Sequence, residues 1–268
     1  MTNEIGITTG SFMQHLTVEP RPGKLRLLDL PKLMRDDLDM RVIDLMTRTL
    51  DSFEPKYVDE LRNRAEKAGC IITNLKMNQR GLEMTSPDPA KRKQALDEYK
   101  RTIGVAARLG CRWVRPASGS KRPDIKRYAA AFRELIDYAE PKGITLLIEN
   151  NGWLRDDPDA IPLVIHSVGK GLAAAPDTGN WTDQAMYKGL TKAFPLAVTC
   201  DFKAFQLEPN NEHPRYDVKC CFQTAWDARF RGPWCLEHFN ERLDGLWKGF
   251  ATLRDWLKQW TKEASGEK

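Results

Sequence analysis

Four stretches in the second half of the chain decide how it is organised: Thr145–Asn150 (TLLIEN), Gly171–Asp177 (GLAAAPD, running on into TGN), Ala197–Lys203 (AVTCDFK) and Pro233–His238 (PWCLEH). Each is a short apolar run of strand length, too brief for a helix. Each ends on or beside an acid: Glu149, Asp177, Asp201 and Glu237. Four earlier runs have the same character, namely Ile5–Thr9, Arg41–Leu45 (RVIDL), Cys70–Lys76 (CIITNLK) and Arg112–Pro116 (RWVRP). Amphipathic helical patterns separate most of them: Pro55–Ala68, Pro87–Leu109, Pro123–Ala139, Pro158–His166, Thr182–Phe194, Val218–Phe230 and Arg242–Trp260. Several open on Pro and stop at Gly, as helix boundaries do, and three helix-to-strand junctions read AGC, LGC and KGI. Strands alternating with helices pair in parallel. Eight such units predict an α/β fold, a (β/α)8 TIM barrel spanning residues 1–268 as a single domain. An open, doubly wound sheet is the rival, but no GxGxxG follows the first strand. The first unit is irregular: Ser11–Asp39 holds Pro20, Pro22, Gly23 and Pro31 around a short helical stretch, and reads as a lid or rim loop. Lys262–Lys268 reads as a disordered tail.

Composition narrows the function classes. Hydrophobic residues make up 41% and charged residues 29% of the 268 positions, an ordinary water-compatible balance with enough apolar residues for a large core. The net charge of +5 is spread among 37 acids, with no dense basic run interleaved with aromatics, so nucleic acid is not an expected partner. No apolar run reaches the length of a membrane span, and no signal peptide precedes the first strand. The six cysteines form no paired CxxC or Cys/His zinc pattern and read as free thiols in a reducing compartment, hence a cytoplasmic location.

In a (β/α)8 barrel the reactive groups stand at the carboxyl ends of the strands. Four consecutive strands ending in acids would aim Glu149, Asp177, Asp201 and Glu237 at one volume, where they would repel one another. A divalent cation removes that repulsion, and an all-oxygen set suits Mg²⁺ or Mn²⁺. For any one acid, a salt bridge or a helix cap is an equally good reading.

LLIEN, DTGN, a DFKAF strand and LEH, in that order and spacing, resemble the sugar phosphate isomerase/epimerase family within the xylose isomerase-like TIM barrel superfamily. The resemblance covers essentially the whole chain. It implies that Glu149, Asp177, the residue at 201 and Glu237 bind one divalent metal such as Mn²⁺, Co²⁺ or Mg²⁺, and the all-oxygen donor set favours Mn²⁺ or Mg²⁺ over Co²⁺ or Zn²⁺. It implies further that Glu149 and Glu237 act as an acid/base pair on the two faces of a sugar. The chain departs from the family at two positions. Asp201 stands where HxKxF strands carry the ligand His, and Asn180 stands where many epimerases carry a substrate-contacting His.

Other residues near the expected mouth are substrate-binding candidates: Lys76 and Arg115 at the ends of strands three and four, Lys203 on strand seven, and His213 and Arg215 in the loop that follows it. Asn180 joins them, as do Trp153 and Trp181, whose rings suit the apolar face of a sugar. His15 is placed near the mouth, while His166 and His238 read as structural, His238 by strand alternation. The expected function is a metal-dependent isomerase or epimerase that acts on a small sugar or sugar derivative by proton abstraction next to a carbonyl, through an enediolate. The alternatives are a lyase that eliminates a substituent from a 3-keto glycoside, by C-deglycosylation or dehydration, and a non-catalytic sugar-binding barrel. A nuclease of the endonuclease IV kind needs more strand-end histidines than the chain's four supply. A homo-oligomer is left open.

Overall fold

The computed structural model describes residues 2–79, 81–208 and 213–266. All eight expected strands form: β1 (Ile5–Thr8), β2 (Val42–Met46), β3 (Ile71–Met77), β4 (Trp113–Pro116), β5 (Thr145–Ile148), β6 (Leu172–Ala174), β7 (Cys200–Ala204) and β8 (Trp234–His238). The helices are α1 (Leu30–Leu38), α2 (Pro55–Lys67), α3 (Pro89–Leu109), α4 (Ile125–Ala139), α5 (Ala160–Val168), α6 (Met186–Ala193), α7 (Val218–Asp227) and α8 (Leu243–Ser265). The strands pair in parallel in the order β6-β5-β4-β3-β2-β1-β8-β7. Short bridges, Ala174↔Ala197 and Asp177↔Asp201, join the two ends and close the ring. Backbone hydrogen bonds from Val198 N to the Ala174 oxygen (3.0 Å) and from Thr178 N to the Asp201 oxygen (2.9 Å) carry that seam.

Local sequence sets these boundaries. Gly69, Gly110 and Gly143, the centres of the three repeated junctions, all have left-handed φ near +70 to +79°, which only glycine adopts without strain. Helix α7 stops short of the expected Phe230 because Arg229 turns into the left-handed region, φ 61°. Helix α8 runs on to Ser265, so residues 262–265 are helical rather than part of a disordered tail.

Because side chains alternate along a strand, one set points outward onto the helices and the other into the lumen. The outward set is apolar: Ile7, Ile43, Val114, Leu146, Ile148, Phe202 and Leu236 are all buried. Trp234 gathers Phe202, Phe222 and Phe230 at ring distances of 5.0–5.5 Å. Burial of each such side chain contributes about 1.5–3 kcal/mol. The first loop is not free. Phe12 is fully buried against Trp247 and Phe250 of α8, and His15 Nε2 meets the Asn240 carbonyl at 2.8 Å, so this segment lies along the rim beside β8. Among the described residues, no helix is long and apolar enough to cross a membrane.

Candidate active site

The inward set carries the charge. The register pairs Asp44 with Asn74, Lys76 with Arg115, and Lys203 with Glu237 on neighbouring strands, so these side chains share one face of the sheet. Glu149 follows β5 and Asp177 follows β6, so both stand at the carboxyl end. Glu149, Asp177 and Asp201 each place one carboxylate oxygen within 4.8 Å of the others. Glu237, the fourth acid of the expected set, stands outside that cluster and meets the Lys203 ammonium at 3.1 Å.

Each acid of the trio has a cation of its own. Asp201 receives the Lys76 ammonium at 2.6 Å on both oxygens; Lys76 comes from β3, four strands around the ring, so this pair spans the lumen. Asp177 Oδ2 lies 2.7 Å from Lys203 Nζ. Glu149 Oε2 lies 2.9 Å from Arg115 Nε, off the N–H axis, so charge rather than a directed hydrogen bond holds that pair. Lys203 also donates to Asn180 Oδ1 (2.8 Å), and Asn180 Nδ2 donates to Glu149 Oε1 (3.0 Å). A continuous polar chain, Glu149–Asn180–Lys203–Glu237, therefore joins the two glutamates. The backbone N–H groups of Gly179 and Asn180 donate to Asp177 Oδ1 at 2.7 and 3.0 Å, which fixes that carboxylate.

The lumen side chains are buried, and burial is the largest single influence on their titration. It pushes Asp177 up to about 6, with Glu237 and Glu149 adding repulsion and Lys203 opposing. Burial also raises Asp44, although Lys76 and Asn74 oppose it. At Glu149 the same burial is outweighed by Arg115, Lys76 and Lys203, and the carboxyl is held below its ordinary range. Burial works against the charge on Lys76 and Lys203, but the facing acids more than offset it and hold both ammonium groups above their ordinary range. Counted as ionised, five acids (Asp44, Glu149, Asp177, Asp201 and Glu237) face three cations (Lys76, Arg115 and Lys203), leaving two negative charges. A lumen of that composition takes up either protons or one divalent cation. The trio fits such an ion in donor type and spacing, and Glu149 Oε2 and Asp177 Oδ2 lack any directed hydrogen bond.

The remaining candidates divide. Trp181 is fully buried, and its six-membered ring presses on Gly189 of α6, outside the barrel. Trp153 is buried edge-on against Tyr128 of α4, with the Arg122 guanidinium over it. Both tryptophans pack the shell, and neither turns a ring to the mouth. The large side chains exposed there are Phe205 and Phe239, directly after β7 and β8, stacked at 5.8 Å. Lys203 Nζ lies 5.2 Å from the Phe205 ring centre. Arg215 pairs with exposed Asp183 at 2.9 Å rather than with the lumen acids. His213 stacks on Tyr216 at 3.9 Å, and burial lowers its pKa to about 4. Tyr216 reaches the site indirectly, since its hydroxyl donates to the Lys203 carbonyl. His238 faces away, as alternation requires, with Nδ1 on the Ala204 carbonyl and its ring against Gly249 of α8. Asp44 escaped the sequence reading; its signal was an acid inside the apolar run VIDLM.

Residues 36–260 match the family described as xylose isomerase-like TIM barrel. The chain belongs to this family. Xylose isomerase-like barrels of known structure overlay it almost end to end at low identity. One from Mycobacterium smegmatis in complex with magnesium has 17% identity and a TM-score of 0.71, with 98% of each chain covered. D-psicose 3-epimerase with D-tagatose, from Clostridium cellulolyticum, has 15% identity and a TM-score of 0.67, covering 98% of this chain and 97% of that one. The probable 3-DHS dehydratase AsbF of Bacillus anthracis, involved in petrobactin synthesis, has 13% identity and a TM-score of 0.71, covering 93% and 98%. No curated protein matches the sequence. The structural neighbours of this barrel thus include an epimerase and a probable dehydratase.

Proposed function

We propose that this xylose isomerase-like barrel is a sugar isomerase or epimerase that moves a proton on a carbon next to a carbonyl, with Glu149 and Glu237 as proton carriers and Glu149, Asp177 and Asp201 as the seat of a divalent ion. The observation that carries the reading is the polar chain linking the two glutamates through Asn180 and Lys203. Glu149, held ionised, is the group ready to take a proton. Asn180 donates to its Oε1 and orients the carboxylate. Lys203 places a positive charge between the two carboxylates, beside the oxygen that turns negative as the enediolate forms. Glu237, the less buried of the pair, enters the step protonated and delivers its own proton to the other face, and exchange with solvent resets both carboxyls. A divalent ion on the trio, Mg²⁺ or Mn²⁺ before Co²⁺ or Zn²⁺, supplies Lewis-acid polarisation of the carbonyl and the neighbouring hydroxyl. Phe205 and Phe239 offer an apolar platform for the C–H face of a small sugar or sugar derivative.

Elimination from a 3-keto glycoside is the second reading. It is favoured by one feature: the Lys203 ammonium, a proton donor, lies beside the exposed Phe205 ring, where a departing group would rest. Turnover of ketoses and 3-keto glycosides in D₂O separates the two. Isomerisation or epimerisation places deuterium on the abstracted carbon, and elimination releases the substituent with a primary isotope effect from the α-deuterated substrate. Product with neither solvent label nor isotope effect, when chemistry limits the rate, would mean a hydride shift or hydrolysis and would remove Glu149 and Glu237 as proton carriers.

A further inference from the structure

Asp44 has no part in the chemistry above, yet it is a carboxylate buried to 1% exposure inside an otherwise apolar strand. The Asn74 amide donates to its two oxygens at 3.2 and 3.1 Å. Among the described residues, the cation within 4.0 Å of it is Lys76, 3.6 Å from Oδ2. That same ammonium sits 2.6 Å from both oxygens of Asp201 and 3.3 Å from the Thr8 hydroxyl. Lys76 thus stands between two carboxylates, fully engaged with one and on the order of 1 Å short of the other, the difference between 3.6 and 2.6 Å.

We infer that Lys76 is an internal counter-ion that moves between Asp201 and Asp44, yielding Asp201 to a divalent cation and docking on Asp44 when it does. Three physical points support the exchange. Both Asp201 oxygens are taken by Lys76, and an ion bound to either at about 2.0–2.6 Å would press against the ammonium. Two cations so close among buried side chains repel strongly. The lysine has somewhere to go: Asp44 is preset by Asn74, lies within a side-chain adjustment, and needs a positive charge of its own. In the ion-free protein the same lysine keeps Asp201 and the seam it bridges in place. The affinity of the seat is accordingly set by a competitor built into the chain.

This inference rests on the trio as the ion's seat, and the test keeps the two apart. The readout is Mn²⁺ affinity of the chelator-treated protein, by calorimetry or by paramagnetic resonance of free Mn²⁺, in wild type, Lys76→Met, Asp44→Asn and the double variant. Circular dichroism checks folding, and Lys76→Gln stands in if Lys76→Met does not fold. Lys76→Met should bind Mn²⁺ at least tenfold more tightly, and Asp44→Asn at least tenfold more weakly. In the Lys76→Met background, Asp44→Asn should have less than a third of its single-variant effect on log affinity, because no lysine remains to be docked. Binding in Lys76→Met alone, with none measurable in wild type, supports the exchange. Additive effects of the two substitutions, as a uniform Coulombic field would give, overturn it, and so does a Lys76→Met protein that binds no more tightly than wild type; both leave the seat intact. Absence of binding in all four proteins overturns the exchange and the seat together.

Discussion

Replacing Lys76 by Met, in the absence of any divalent ion, strands the Asp201 carboxylate. Two contacts of 2.6 Å vanish, and at 2% exposure no bulk water takes their place. Removing one partner of a buried pair costs about 3–5 kcal/mol. A second route gives a ceiling: the stranded acid can instead take a proton. From an ordinary value of 3.8, doing so at pH 7 costs roughly 3.2 units at about 1.4 kcal/mol each, or ~4 kcal/mol. The two estimates agree. In a chain of this size 1 kcal/mol moves Tm by about 2–4 °C, so Tm at pH 7 should fall by roughly 8–16 °C. The sign with pH follows from the second route. Burial already raises the Asp201 carboxyl in the wild type, with Lys76 opposing it, and removing Lys76 raises it further; the deficit relative to wild type should therefore shrink as pH falls, and stop changing once the acid is protonated in both proteins. Adding Asp201→Leu removes the stranded charge and should recover most of the loss. Scanning calorimetry in chelator, at pH 7 and pH 5, is the assay. A fall of under ~3 °C at pH 7, or a deficit larger at pH 5 than at pH 7, would refute the reasoning.

Glu149→Gln and Glu237→Gln should each lower turnover by about 10²–10⁴-fold, with metal content measured alongside so that loss of the ion is not mistaken for loss of the base; a change under tenfold at full occupancy rules out that glutamate as a proton carrier. Asp177, pushed up to about 6, must shed its proton to hold an ion, so the rise in Tm produced by Mn²⁺ should grow from pH 5 to pH 7 and level off above. In the ion-free protein the same raised value works the other way: its stabilising contribution is complete below 3.8 and is lost as pH rises through 6. A Mn²⁺ effect that is flat across this range contradicts both statements. Gly189→Ala sets a methyl 2.5 Å from the Trp181 ring and should reduce stability by about 1–3 kcal/mol, with kcat/KM unaltered; a kinetic effect without a Tm change would return Trp181 to the substrate.

The barrel was legible because its signal is repetitive. Eight apolar runs, seven helical patterns and three Gly junctions all say the same thing, and each junction glycine does hold the left-handed turn its position suggested. The strand-end acids were legible for a related reason, since charge at the end of an apolar run is conspicuous. What the sequence hid was pairing across the lumen. Lys76 and Asp201 are 125 positions apart and meet only because β3 and β7 lie on opposite sides of a closed ring. The division of Glu237 from the other three acids depends on where Lys203 points, which strand spacing does not fix. Trp153 and Trp181 both lie in the loops after strand ends, where a large ring can serve the mouth or the shell, and only the placed helices show that each packs against one. Phe205 and Phe239, which the structure leaves exposed, continue the inward alternation of Lys203 and Glu237 by two residues.

The seam between β6 and β7 has a mechanical meaning. A hoop fails at its weakest joint, and here that joint is two isolated bridges, one of them made by Asp177 and Asp201 themselves. The atoms that would grip an ion are thus attached to the two ends of the clasp. Loading the site would rivet the hoop shut, and emptying it would leave the joint to a few backbone bonds around Val198, Thr178 and Asp201. The amide hydrogens of those three residues should therefore be the first of the barrel to exchange with solvent, and the ones most protected when Mn²⁺ is added. Any substitution that retunes position 201 for a different cation also alters how firmly the ring is fastened.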